Sequence, residues 1–126
     1  MNIPEGLLYT KDHIWVKREG DMVTCGITDY AQSELGDVVF IELPSPGQKF
    51  KKGQKMGSVE SVKSVSNLYA PVSGEIMEVN GALEEKPETI NQKPYEGWIA
   101  KIKIEDEKEL GELLTADQYR KFIQES

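Results

Sequence analysis

The stretch Gly57-Ser58-Val59-Glu60-Ser61-Val62-Lys63-Ser64-Val65-Ser66-Asn67-Leu68-Tyr69-Ala70-Pro71 sets a single lysine, Lys63, between two short runs rich in valine and serine, with no other lysine between Lys55 and Lys86. Alternation of small polar and apolar residues reads as a half-buried strand on each side. A tight reversal near Val62-Lys63 then lifts one primary amine to the tip of a hairpin. Such an amine does little chemistry alone, but an enzyme can reach it and acylate it. The plainer reading of a lysine at a turn is a solvated surface charge, and the pattern by itself leaves both open.

Outward from the hairpin, glycines punctuate short strands: Gly47, Gly53 and Gly57 before Lys63, then Gly74 and Gly81 after it. The segments 47–53 and 74–81 look like related units on either side of the lysine turn. Upstream, His13-Ile14-Trp15-Val16-Lys17 and Met22-Val23-Thr24-Cys25-Gly26-Ile27 read as strands joined at Glu19-Gly20-Asp21. Asp29-Tyr30-Ala31-Gln32 has capping-box spacing with Asp29 as the cap, and Gly36 closes a short helix in a left-handed conformation. The β-branched run 37–43 stops at Pro44-Ser45-Pro46-Gly47, which cannot continue a ladder. Residues 98–104 alternate as a strand with isoleucines inward. Leu110, Leu113 and Leu114 have helical spacing in 105–114. Thr115-Ala116-Asp117-Gln118 is a second capping box, with Leu114 and Tyr119 placed as a hydrophobic staple; Tyr119, Phe122 and Ile123 make one apolar stripe for packing on a sheet.

With 126 residues the chain fits one domain able to bury a core without metals or disulfides. Fifteen basic against 22 acidic residues give a formal charge of −7, which repels phosphate backbones and makes nucleic acid an unsuitable partner. The same field favours encounter with basic docking surfaces, and solubility accounts for it equally well. No apolar run has the length of a membrane span, and Met1-Asn2-Ile3-Pro4-Glu5-Gly6 reads as neither a signal nor a transit peptide, so a cytoplasmic protein is expected; a monomer is expected as well. Cys25 is the only cysteine and falls on the buried face of its strand, as a structural thiol. The sole histidine, His13, has no cysteine or second histidine beside it, which disfavours a zinc site. No Gly-x-Ser-x-Gly elbow, phosphate loop or dinucleotide fingerprint is present. Glu84-Glu85 and Glu105-Asp106-Glu107 read as solvated faces, and Trp15 and Trp98 as packing residues. Nothing assembles a nucleophile, a base and an orienting group, so the chain is expected not to be an enzyme.

Several segments in order carry a family resemblance: Gly26-Ile27-Thr28-Asp29-Tyr30-Ala31-Gln32, Leu35-Gly36-Asp37-Val38-Val39-Phe40-Ile41-Glu42-Leu43-Pro44, Glu60-Ser61-Val62-Lys63-Ser64-Val65-Ser66, Leu68-Tyr69-Ala70-Pro71-Val72-Ser73-Gly74-Glu75-Ile76 and Pro94-Tyr95-Glu96-Gly97-Trp98. With these the chain resembles the glycine cleavage system H proteins, a family of lipoyl carriers, from about Tyr9 to the C-terminal helix. The fold this implies is mainly β: a lipoyl/biotinyl-type quasi-symmetric β-sandwich (a flattened barrel) over a single domain 1–126, with a short helix near 29–35 and C-terminal helices near 106–125.

The resemblance also implies a cofactor and a cycle. Lipoate would be bound covalently through an amide to the Lys63 amine, placed there by a lipoate ligase or lipoyltransferase. An exposed lysine is almost wholly protonated at neutral pH, so the attaching enzyme must supply both the activated acyl group and the deprotonation. The carrier would then take the aminomethyl group of glycine from the glycine decarboxylase (P-protein) to the aminomethyltransferase (T-protein), and pass electrons to dihydrolipoamide dehydrogenase. Tethering raises the local concentration of the arm at each active site. In the family the loaded arm folds back into a cleft that excludes water. Departures from the family pattern fall near that cleft. Ile14 stands where a glutamate is typical, Glu34 where some members have histidine, and the 91–97 loop is one residue shorter. Two readings therefore stay beside the glycine-cleavage role: an H-like carrier for lipoate relay or lipoate-dependent sulfur oxidation, and an unmodified acidic β interaction module. A biotin carrier fits less well, because that family sets its lysine between methionines and here Lys63 lies between Val62 and Ser64.

Overall fold

A computed structural model describes residues 1–125; Ser126, the last residue of the expected domain, lies outside the described residues. In chain order the elements are β1 (Leu8–Tyr9), β2 (Ile14–Glu19), β3 (Met22–Ile27), α1 (Asp29–Leu35), β4 (Val38–Glu42), β5 (Lys49–Phe50), β6 (Lys55–Ser61), β7 (Val65–Tyr69), β8 (Gly74–Val79), α2 (Ala82–Glu85), α3 (Thr89–Gln92), β9 (Ala100–Ile104), a 3₁₀ helix (Glu107–Glu112) and α4 (Ala116–Glu125). A six-stranded sheet runs β1-β2-β3-β9-β8-β5 and a three-stranded sheet runs β4-β6-β7. Their pairings are antiparallel. The molecule is an open β-sandwich with short helices at its margins. No helix of the described residues is long and apolar enough to cross a membrane.

The main core lies between the sheets, where strand alternation sends Val16, Val23, Cys25, Ile76 and Ile102 from one side to meet Ile41, Val59 and Leu68 from the other. Burial of this apolar surface is the main term holding the layers together. The six-stranded sheet also has a covered outer face, around a second cluster of Tyr9, Trp15, Ala116 and Tyr119 with Phe122 and Ile123 packed against it. There the Tyr9 and Tyr119 rings stack 4.7 Å apart and 8° from parallel. Trp15 lies flat over Gly26, and a Cβ at position 26 would come within 2.7 Å of the indole nitrogen. This second cover explains why Thr24 and Gly26 are buried as well as Val23 and Cys25.

At the second capping box Thr115 N–H donates to Gln118 Oε1 (2.9 Å) and Gln118 N–H to Thr115 Oγ1 (3.2 Å), so the reading of residues 115–118 holds. Leu114 and Tyr119 share the outer cluster, as a staple requires. At α1 the cap sits one residue earlier than expected. Thr28 accepts from Ala31 N–H at 3.2 Å, and its hydroxyl lies 2.8 Å from that of Tyr119. A tertiary bond from α4 thus selects the cap, leaving Asp29 in the first turn with Gln32 Nε2 donating to it. Of the 105–114 leucines only Leu110 lies within the 3₁₀ helix; Leu113 is its extended C-cap and Leu114 bridges to Tyr9, while Leu110 and Leu113 are both buried. The short helices α2 and α3 carry no sequence periodicity long enough to announce them; each is a single turn anchored by one buried residue, Leu83 or Ile90. The two glycine-flanked units pair with each other through Lys49↔Glu75 and Phe50↔Gly74.

Gly57 lets β6 pass close beneath β4: a Cβ there would lie 2.3 Å from the Glu42 carbonyl oxygen, whereas a Cβ at Gly81 meets nothing within 4 Å. Gly57→Ala should therefore destabilise the fold by about 2–3 kcal/mol, and Gly81→Ala by far less. Denaturant melts showing equal stability for the two variants would refute this account of the sheet spacing.

Candidate functional site

The tip of the β6–β7 hairpin is held by its own serine. Ser61, only 5% exposed, accepts hydrogen bonds on its hydroxyl from Lys63 N–H (3.3 Å) and Ser64 N–H (3.1 Å). Ser61 N–H in turn donates to the Ser64 carbonyl (2.8 Å). A serine hydroxyl bonding the backbone two and three residues on is a local turn device. Val62 N–H then donates to the carbonyl of Asp37 at 3.0 Å, fastening the turn to the segment that joins α1 to β4. Lys63 projects into solvent from this fixed backbone, and no carboxylate pairs with its amine among the described residues.

Beneath the lysine stem lies Gly36, at φ 80° and ψ −163°. A Cβ there would sit 3.2 Å from Lys63 Cε, so glycine both permits the backbone turn and leaves room for the stem. Asn91 holds this segment from α3. Its Nδ2 donates to the Gly36 carbonyl (2.9 Å) and to Gln32 Oε1 (3.0 Å), and its Oδ1 accepts from Val38 N–H (2.8 Å). Gly36 and Asn91 support the site without any sequence pattern that marks Asn91; only the α3 anchor Ile90 brings it there.

Next to the hairpin a cleft of about 350 Å³ opens between the edge strand β7 and the α1–β2 side of the molecule. Ile14, Ile27, Leu35 and Leu68 form its apolar floor, while Ser64 and Ser66 face Asp12, His13 and Glu34 across it. Ile14, at the position where the resemblance implies a glutamate, is 1% exposed and contributes to both floor and core. Glu34 stands exposed at the cleft. In the 91–97 loop, Trp15 Nε1 donates to the Pro94 carbonyl (3.0 Å) and the Tyr95 hydroxyl accepts from Asp29 N–H (3.1 Å).

His13 is the one non-glycine residue at positive φ (67°) among the described residues. Its Nδ1 lies 2.8 Å from the Tyr119 hydroxyl, so a chain runs from the cleft through Tyr119 to the Thr28 cap. Burial lowers the His13 pKa below the ordinary histidine value, outweighing the opposing pull of Asp12 and Glu34. Cys25, fully buried and 3.6 Å from the Ala100 carbonyl, has its thiol pushed up to about 12 by burial. No group of three His, Cys, Asp or Glu side chains among the described residues is arranged to hold a metal ion.

The family described as glycine cleavage H-protein matches residues 7–126. This chain belongs to the glycine cleavage H-protein family. It is 56% identical to the glycine cleavage system H protein of Staphylococcus carnosus over 126 residues, covering 99% of this chain and all of the relative. To the H protein of Halothermothrix orenii it is 49% identical over 126 residues, covering 99% of this chain and 98% of that one. The crystal structure of the Mycobacterium marinum H protein superposes with a TM-score of 0.89 at 42% identity, over 97% of this chain and 99% of that chain. The mainly β sandwich expected of an H protein is thus the fold observed.

Two outcomes follow for this H protein. Thiol reagents should label Cys25 only as fast as the protein unfolds; rapid labelling of native protein at pH 8 would contradict its burial. Because the folded state lowers the His13 pKa, the unfolded chain binds the extra proton. The His13 contribution to stability is therefore complete above the unfolded value near 6.5 and is lost as pH falls through and below it. His13→Asn, which tolerates positive φ, should show a shallower loss of stability over that window; identical slopes would overturn the assignment.

Proposed function

We propose that this H protein is a lipoyl carrier in the glycine cleavage system, with lipoate attached through an amide to Lys63. The supporting observation is the hairpin: a primary amine projecting from a turn pinned by Ser61 and Asp37, beside a cleft of about 350 Å³ with an apolar floor and polar walls. A short aliphatic chain ending in a compact ring suits such a cleft in size and polarity. When bound, lipoate supplies a redox-active dithiolane that accepts glycine's aminomethyl group and two electrons.

The chain's own residues present, anchor and shelter. Ser61 and the Asp37 carbonyl fix the turn, so that an arm on Lys63 leaves the surface in a set direction. Tyr30 and Ala31, backed by the buried Ile14, Ile27 and Leu68, provide an apolar surface on which an arm from Lys63 can rest away from water. The partners in this reading are a lipoate ligase or lipoyltransferase, the P-protein, the T-protein and dihydrolipoamide dehydrogenase. The chain works as one cytoplasmic domain, 1–126, and a monomer; it acts as carrier, with the catalysis done by those enzymes.

Lys63→Arg tests the proposal. One exposed cation replaces another, so stability should change by under about 0.5 kcal/mol. Lipoylation seen by intact mass, and glycine–bicarbonate exchange with the P-protein, should both vanish. A lipoyl adduct elsewhere, or full exchange activity in the variant, would reject the assignment. A parent protein lipoylated at Lys63 yet inert in exchange would point instead to a relay or sulfur-oxidation carrier.

A further inference from the structure

Six large hydrophobic side chains are exposed among the described residues, and four of them lie at the Lys63 end of the three-stranded sheet: Val62 (69%), Val65 (66%), Phe40 (53%) and Val39 (49%). The register explains the grouping. Phe40 pairs with Glu60 and Glu60 with Val65, so the three form one row across the outer face of the three-stranded sheet. The irregularity between Val38 and Phe40 in β4 leaves both Val39 and Phe40 exposed. One row farther from the tip the same face carries Glu42, Ser58 and Asn67, which are polar. The apolar surface is thus confined to the lysine end of the sheet. Glu60, in the middle of the row, makes no ion pair among the described residues.

Exposed apolar side chains grouped like this mark interaction surfaces, and reach decides the occupant. The lysine stem, five single bonds of about 1.5 Å each, extends only about 6 Å from its Cα. An enzyme that acylates the bare amine must bring its active site that close, and so must rest on residues within about two strand positions of the turn, at about 3.3 Å per residue. Enzymes that meet an arm already attached reach it farther out and need no such contact. We propose that the Phe40–Glu60–Val65 row, with Val39 and Val62, is the docking surface for the enzyme that acylates Lys63, and that this enzyme presents an apolar rim carrying a basic side chain opposite Glu60. Phe40 is the aromatic anchor of the contact, and the −7 chain supplies its electrostatic attraction. In the step served, a bond forms between the Lys63 nitrogen and the acyl carbon. The bond from that carbon to the oxygen of its mixed acyl-phosphate anhydride, or to the sulfur of its thioester, breaks and releases the phosphate monoester or the thiol, and the ammonium gives up two protons to the leaving group, enzyme or solvent. The inference rests on the carrier reading above.

The test follows acylation of the purified full chain by a bacterial lipoate ligase with lipoate and ATP, read by intact mass and localised by tandem fragmentation. Phe40→Ser and Val65→Thr should each lower kcat/KM about tenfold, mostly through KM. Glu60→Gln should lower it less and weaken its dependence on ionic strength, a change that a purely structural role would not produce. Should Phe40→Ser misfold, the milder Val65→Thr and Glu60→Gln decide the matter. Normal kinetics in the folded variants, with the parent modified at Lys63, overturns the docking surface and leaves the carrier reading intact. A parent that gains no adduct at Lys63 overturns both. If variants lipoylated beforehand lose glycine–bicarbonate exchange as severely as they lose acylation, the row belongs to a later enzyme and the assignment is wrong.

Discussion

The hydrogen bond from Val62 N–H to the Asp37 carbonyl joins the hairpin turn to the segment that connects α1 with β4. The proposed attachment of a group at Lys63 calls for a free amine on a fixed backbone, and this bond ties that backbone down. Around it the Ser61 hydroxyl closes the turn from within, and Asn91 grips both sides of Asp37 through Gly36 and Val38. Each of these bonds satisfies a backbone group that a sharp reversal or a helix end would otherwise leave unpaired. The amine escapes such constraint because Gly36 offers only a smooth floor beneath its stem.

The same wall that supports the hairpin also defines the cleft. Helix α1 is capped by Thr28, whose hydroxyl meets Tyr119, whose hydroxyl meets His13 at the cleft. Thus α4, at the far end of the sequence, holds the start of α1 and one cleft side chain in fixed relation. Tyr119 can do this only while stacked on Tyr9 inside the outer cluster. The C-terminal helix is therefore part of the site's scaffold, acting through packing and two short polar contacts.

The two positions that the resemblance singled out, 14 and 34, acquire different meanings once located. Ile14 is nearly inaccessible and strengthens an apolar floor, whereas Glu34 sits at the cleft across from Ser64 and Ser66. The cleft thus retains carboxylates, from Asp12 and Glu34, although position 14 supplies none. The outer face of the same hairpin has an opposite character, apolar around Phe40 and Val65. One short hairpin separates a cleft from an exposed apolar face.

Local chemistry was legible in the chain wherever one segment carried its own signal. Alternation marked β3 over residues 22–27, the reciprocal Thr115–Gln118 bonds followed from their spacing, and the valine–serine runs about Lys63 announced a lysine hairpin. Contacts between distant segments were not legible. Thr28 rather than Asp29 caps α1 because a tyrosine 91 positions away reaches its hydroxyl, and Asn91 meets Gly36 across 55 positions. The 105–114 leucines showed helical spacing, yet the packing of Leu110 and Leu113, with Glu109 drawn to Ser73, settled on a 3₁₀ turn. By itself the sequence determined the longer strands, the second helix cap and the position of the lysine, because these rest on periodicity and near-neighbour hydrogen bonds, whereas β1 at Leu8–Tyr9 forms only by pairing with β2. Only the tertiary structure decided how that lysine is held, what the cleft is made of and which apolar residues stay exposed, because those depend on which surfaces meet when the sheets close.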